Sequence, residues 1–159
     1  MAKLYAFLAA TTFLMLIAVG AAIAGTSAGD SITGTPHRDR LHGLGGADLI
    51  RGLGGNDLLT GDAGNDAVFG GSGKDLVEGG RGDDRVESGN GDDKVAGGGG
   101  ADIVVGNEDT DRLIGGAGSD HVDGLQGGGS DLLDCGPGFD TFEASSNDTV
   151  MGNCERRRG

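Results

Sequence analysis

Aspartate recurs every nine residues through most of this chain, ten times without a break: Asp39, Asp48, Asp57, Asp66, Asp75, Asp84, Asp93, Asp102, Asp111 and Asp120. Two places after each stands an aliphatic residue: Leu41, Ile50, Leu59, Val68, Val77, Val86, Val95, Val104, Leu113 and Val122. If two such units make one coil, residues eighteen apart stack at roughly 4.8 Å, the spacing of neighbouring strands. Asp57 then lies over Asp75, and Asp66 over Asp84. Carboxylates stacked in this way repel one another unless a cation lies between them. Calcium suits the position, because it accepts roughly six to eight oxygen ligands at about 2.3–2.6 Å in flexible geometry. The competing reading is that each Asp only makes hydrogen bonds within its own turn. That explains one turn, but not like charge repeated along a column.

The elements that must hold these carboxylates follow from the rest of the unit. Gly70-Gly71-Ser72-Gly73-Lys74-Asp75-Leu76-Val77-Glu78 is one unit, and Gly79-Gly80-Arg81-Gly82-Asp83-Asp84-Arg85-Val86-Glu87 is the next. Six Gly-rich residues predict a turn, since Gly tolerates positive φ without steric cost. The last three predict a short strand whose middle residue points inward and whose neighbours point out. One inner column is expected to be Leu41, Leu59, Val77, Val95, Leu113, and the facing one Ile50, Val68, Val86, Val104, Val122. At Gly124 and Leu125 the register slips by two residues. Asp131/Leu133 and Asp140/Phe142 follow, then a shortened Asp148/Val150 unit. A low-complexity Gly-rich linker would not lock an aliphatic residue two places after every Asp.

Composition agrees with a thin core. Of 159 residues, 36 are Gly, aromatics are 4%, and there is no Trp. Ordinarily such a chain lacks the apolar surface to offset its conformational entropy; a periodic, metal-bound solenoid is the ordered alternative. Residues 1–24 read as a signal peptide: Lys3, an apolar run from Ala6 to Val19, and Ala22-Ile23-Ala24 as the cleavage motif. The alternative is a retained anchor, since positions 4–24 approach the length of a span; after cleavage no span remains. Cleavage removes one of 12 basic residues against 25 acidic ones, leaving a charge of −14. Such an acidic chain is not expected to bind nucleic acid, which requires clustered Lys and Arg. Residues 25–33 read as a polar linker, 34–123 as regular repeats, 124–151 as irregular coils and cap, and 152–159 as a tail.

These units resemble the hemolysin-type calcium-binding repeat, or RTX nonapeptide, with pattern G-G-x-G-x-D-x-U-x. The resemblance covers Gly34 to Met151. It implies an all-β, right-handed parallel β-roll in a secreted bacterial protein, with several calcium ions in the turns. The implied ligands are the carboxylates of Asp48, Asp57, Asp66, Asp75, Asp84, Asp93, Asp102, Asp111 and Asp120. Turn carbonyls would join them, as from Gly71 and Gly73, Gly80 and Gly82, Gly89 and Gly91. Several units depart from the pattern. His37 stands where Gly is expected, which marks Gly34 to His42 as an N-terminal cap. Ser88 replaces a first-position Gly, and Asn107 and Asp109 replace Gly in their turn; both residue types tolerate the left-handed region.

Cys135 and Cys154 are the only cysteines. In an exported chain an even count reads as a disulfide, here pinning the last coil; a metal or catalytic cysteine would lack partners. Arg156 to Arg158 read as a solvated basic tail. Arg81-Gly82-Asp83 matches a cell-attachment tripeptide but falls inside a predicted turn, and no H-E-x-x-H is present. No nucleophile, base and orienting group come together, so no enzymatic activity is expected. The expected role is an extracellular calcium-binding structural or interaction module with a cell-surface, matrix or secreted-protein partner. A non-catalytic accessory module for a secreted enzyme is the alternative. Ice binding is disfavoured, because third positions such as Pro36, Gly45, Gly54, Ala63 and Ser72 form no Thr stripe.

Overall fold

An aliphatic residue every nine positions can be buried only if the chain winds with that period, and the computed structural model shows this winding. It describes residues 13–14, 22–151, 153–154 and 156–157. The strands, in chain order, are β1 (Phe13–Leu14), β2 (Ala22–Ala24), β3 (Ser31–Thr33), β4 (Arg40–His42), β5 (Leu49–Gly54), β6 (Leu58–Ala63), β7 (Ala67–Ser72), β8 (Leu76–Arg81) and β9 (Arg85–Asn90). They continue with β10 (Lys94–Gly99), β11 (Ile103–Glu108), β12 (Arg112–Ala117), β13 (His121–Asp123), β14 (Leu132–Asp134), β15 (Thr141–Glu143), β16 (Thr149–Val150) and β17 (Arg156–Arg157). Odd-numbered strands form one parallel sheet and even-numbered strands the other. Successive strands alternate between sheets, so two units complete one coil of an all-β solenoid.

The register is the expected one. Leu41 pairs with Leu59, Leu59 with Val77, Val77 with Val95 and Val95 with Leu113. On the facing sheet Ile50, Val68, Val86, Val104 and Val122 pair in turn. All ten side chains are fully buried. The two-residue slip is absorbed between coils: Leu113 pairs with Leu133 and Val122 with Phe142.

Three expectations need correction. The strands β5 to β12 are six residues long rather than three, running on through the first three residues of the next unit. The ladder skips only the first-position residue and resumes at the second and third, as in Gly71 with Gly89 and Ser72 with Asn90. Backbone groups at those positions would otherwise go unpaired. Second, residues 25–33 are no linker. They form a further unit, with Ile32 buried, β3 paired to β5 and the Asp30 amide bonded to Asp48. The absence of a Gly-Gly start hid it. Third, the backbone of the C-terminal tail adds β17 beside β15.

The expected signal peptide lies largely outside the described residues; within it, Ala22–Ala24 pairs with β4 and Ile23 is buried. Among the described residues no helix is long and apolar enough to cross a membrane. A disulfide joins Cys135 to Cys154, tying the last coil to the roll.

Candidate calcium-binding turns

Each turn places its sixth-position Asp where the chain passes into a strand, and the coil above fixes its carboxylate. The backbone amide of Asp57 donates to Asp75 Oδ1 at 2.8 Å, that of Asp66 to Asp84 Oδ1 at 2.8 Å, and that of Asp75 to Asp93 Oδ1 at 2.7 Å. The same bond runs from the amide of Asp39 through Asp48, Asp84, Asp93 and Asp102 to Asp111 and Asp120. The acidic residues are thus buried as two ladders, each rung spanning two coils.

One oxygen of each rung is left over. Oδ2 of Asp48, Asp57, Asp66, Asp75, Asp84, Asp93, Asp102, Asp111, Asp120, Asp131 and Asp140 is buried and meets no hydrogen-bond donor. A buried acceptor in this state costs on the order of 1–3 kcal/mol, and more when charged. Burial accordingly raises the carboxyls of this series from Asp48 through Asp131 above their ordinary 3.8: to about 6 at Asp57, Asp75 and Asp102, and to about 7 at Asp111. Backbone donors oppose the shift, and stacked carboxylates add to it, as Asp75 does at Asp57.

Carbonyl oxygens converge on the same place. A Cβ added to Gly79 would fall 2.6 Å from Asp84 Oδ2 and 2.6 Å from the Gly97 carbonyl oxygen. At Gly97 the corresponding distances are 2.6 Å to Asp102 Oδ2 and 2.5 Å to the Gly115 carbonyl oxygen. At Gly79 and Gly97 the first position therefore needs Gly for space, not for its φ. The second and fourth positions do need Gly's freedom: Gly71 and Gly73, Gly80 and Gly82, Gly89 and Gly91 all lie between φ 109 and 127. Asn107 and Asp109 adopt φ 74 and 77, as their side chains allow. Leu44, Leu53 and Asp62 also sit at positive φ in second positions, a departure that sequence reading passed over. At Ser88, the hydroxyl bonds the Gly106 carbonyl at 2.6 Å, which accommodates the extra atoms.

Among the described residues no three His, Cys, Asp or Glu side chains cluster as a metal site. Any ion in these turns must take most of its ligands from backbone carbonyls, with carboxylates supplying the charge. Hard oxygen donors in a flexible backbone cradle are the set that calcium prefers. A family model described as the RTX calcium-binding nonapeptide repeat, in four copies, matches residues 24–59, 33–68, 69–104, 96–131 and 105–142.

This chain belongs to the RTX calcium-binding repeat family.

The RTX roll is a calcium-binding β-roll, a fold that is typically structural rather than catalytic. Among curated proteins no relative matches the chain. All nine expected ligand aspartates of this RTX chain occupy equivalent rungs. Asp131 and Asp140 join them, which the register slip had set apart. A second ladder had no place in the sequence reading. Fifth-position Asn56, Asn65, Asp83 and Asp92 side chains accept the backbone amides of Lys74, Asp83, Ala101 and Thr110 in the next coil. This ladder also binds Asp83 of the Arg81-Gly82-Asp83 tripeptide into the turn.

Proposed function

We propose that this protein acts outside the cell as a calcium-responsive structural or interaction module, exported in an unfolded state and folded by the calcium it meets there. The observation that carries the reading is the column of buried Oδ2 atoms without donors, which at Asp48, Asp57, Asp66, Asp75, Asp84, Asp102 and Asp120 share the first-position space with a carbonyl oxygen of the next coil. The proposed ligands are Asp48, Asp57, Asp66, Asp75, Asp84, Asp93, Asp102, Asp111 and Asp120, with the turn backbone at Gly71 and Gly73, Gly80 and Gly82, and Gly89 and Gly91. Bound calcium supplies the positive charge that the stacked carboxylates lack. The chain's own residues do the rest: Oδ1 holds the rung to its neighbour, Gly clears the space, and the aliphatic column excludes water behind it. Without neutralisation, charge repulsion and the entropy of ordering a Gly-rich chain oppose a core one residue thick. Binding free energy then becomes folding free energy.

Circular dichroism and hydrodynamic radius, measured with chelator and with about 5 mM calcium, test this. That concentration exceeds the Kd on the order of 10⁻⁴–10⁻³ M usual for extracellular modules. A compact β spectrum is expected with calcium alone, and Asp75→Ala combined with Asp84→Ala should move the midpoint to higher calcium. A compact, β-rich chelated protein, or no calcium uptake in isothermal titration, overturns the proposal.

A further inference from the structure

The turns at the two ends of the roll are built differently from those between them. In the first fully described turn, Thr26 donates to Asp30 Oδ2 from its amide at 2.6 Å and from its hydroxyl at 2.9 Å. In the second, the Thr35 amide donates to Asp39 Oδ2 at 2.5 Å and its hydroxyl to the same oxygen at 3.0 Å. In the last fully described turn, the Ser145 amide donates to Asp148 Oδ2 at 2.5 Å. Each hydroxyl also accepts the amide two residues on, from Ala28, His37 and Asn147 respectively. So the oxygen that meets no donor from Asp48 to Asp140 is satisfied by the protein itself at Asp30, Asp39 and Asp148.

The cause lies at the second position of the unit. In all eleven interior turns that residue has positive φ: Leu44, Leu53, Asp62, Gly71, Gly80, Gly89, Gly98, Asn107, Gly116, Gly127 and Gly136. Thr26, Thr35 and Ser145 do not have positive φ. Their amides face the carboxylate instead, and a β-branched or hydroxyl side chain favours that conformation.

We propose that Thr26, Thr35 and Ser145 stand in for the metal. They close the turns carrying Asp30, Asp39 and Asp148 with protein donors, so those turns take no calcium, and among the described turns the metal array is confined to those carrying Asp48 through Asp140. This rests on the reading that the interior turns bind calcium. It makes the second-position residue the determinant of which turns bind: positive φ opens the carboxylate to an ion, and Thr or Ser closes it.

Native mass spectrometry in calcium, with circular dichroism as the check on folding, counts ions per chain. Asp39→Asn is expected to leave the count unchanged, whereas Asp75→Asn should lower it by at least one. Thr35→Gly should raise it by one, and Thr35→Val, which lacks the hydroxyl but keeps the β-branch, should raise it by none. An ion lost in Asp39→Asn overturns the proposal, as does a folded Thr35→Gly that binds the wild-type number. If Thr35→Gly does not fold, the comparison of Asp39→Asn with Asp75→Asn decides alone. Wild type taking up no calcium overturns the parent reading of the interior turns, a result distinct from either.

Discussion

Two neighbouring residues, Arg85 and Val86, show how steeply the environment changes across one Cα in this roll. Val86 is fully buried in the aliphatic column, while Arg85 is exposed and pairs with Glu87 on the outer face. Val86→Asp would bury a charge with no partner, at a cost of about 3–5 kcal/mol. Arg85→Asp loses a surface pair worth about 1 kcal/mol or less. Calcium-saturated melting curves should separate the two variants widely, and equal melting temperatures would refute this strand phase. Glycines differ as sharply. Gly73 has φ 127 and its Cβ would run into the Gly55 carbonyl, so Gly73→Ala should cost at least about 2 kcal/mol. Gly45 has open space, with the nearest atom 3.6 Å from an added Cβ. Gly45→Ala should fall within about 1 kcal/mol of wild type in the same denaturation series.

The turn column is the element whose behaviour depends most on pH. Its carboxyls titrate near 3.8 in an unfolded chain but are raised by burial in the roll, to about 6 at Asp57, Asp75 and Asp102 and about 7 at Asp111. Between those values the folded, metal-free roll holds protons that the unfolded chain has released. The stability these groups contribute is therefore complete below pH 3.8 and is lost as pH rises through 6 to 7. Chelated protein should show more β structure at about pH 4.5 than at about pH 7.5 by circular dichroism. Calcium competes with the same protons, so its midpoint should move to higher concentration on going from about pH 7.5 to about pH 5.5. A chelated protein that loses structure on acidification would contradict the burial assigned to these carboxylates.

At the scale of the whole molecule the roll is a stack in which each coil touches its neighbours, so its stability is a sum of nearest-neighbour terms. A single cross-link should then act locally. The Cys135–Cys154 bond closes a loop of sequence separation 19 at the C-terminal end. Such a loop contributes about 3 kcal/mol in the chain-entropy account. Cys154→Ser, or reduction, should speed amide exchange at Leu133 and Phe142. Protection at Val77 and Val95, several coils away, should be unaffected. Uniform loss along the chain would mean that the roll unfolds as one unit rather than coil by coil.

The nine-residue period by itself determined the coil, the two inner columns and the rung of acidic residues, while the tie between Cys135 and Cys154 followed from an even cysteine count in a chain read as exported. A side chain's face in a strand depends only on parity, and stacking depends only on the repeat length. What the period could not reveal depends on contacts between coils. Residues 25–33 keep Asp30 and Ile32 but lack a Gly-Gly start, and only the pairing of β3 with β5 shows that they are a coil. Leu44 and Leu53 break the Gly pattern yet hold positive φ, because the neighbouring coils impose the backbone there. Thr35 looks like one more irregular turn residue until its amide and hydroxyl are seen to meet the oxygen of Asp39. Which carboxylates are satisfied and which are open is a property of three-dimensional neighbours, since a buried acceptor is defined by the donors that fail to reach it.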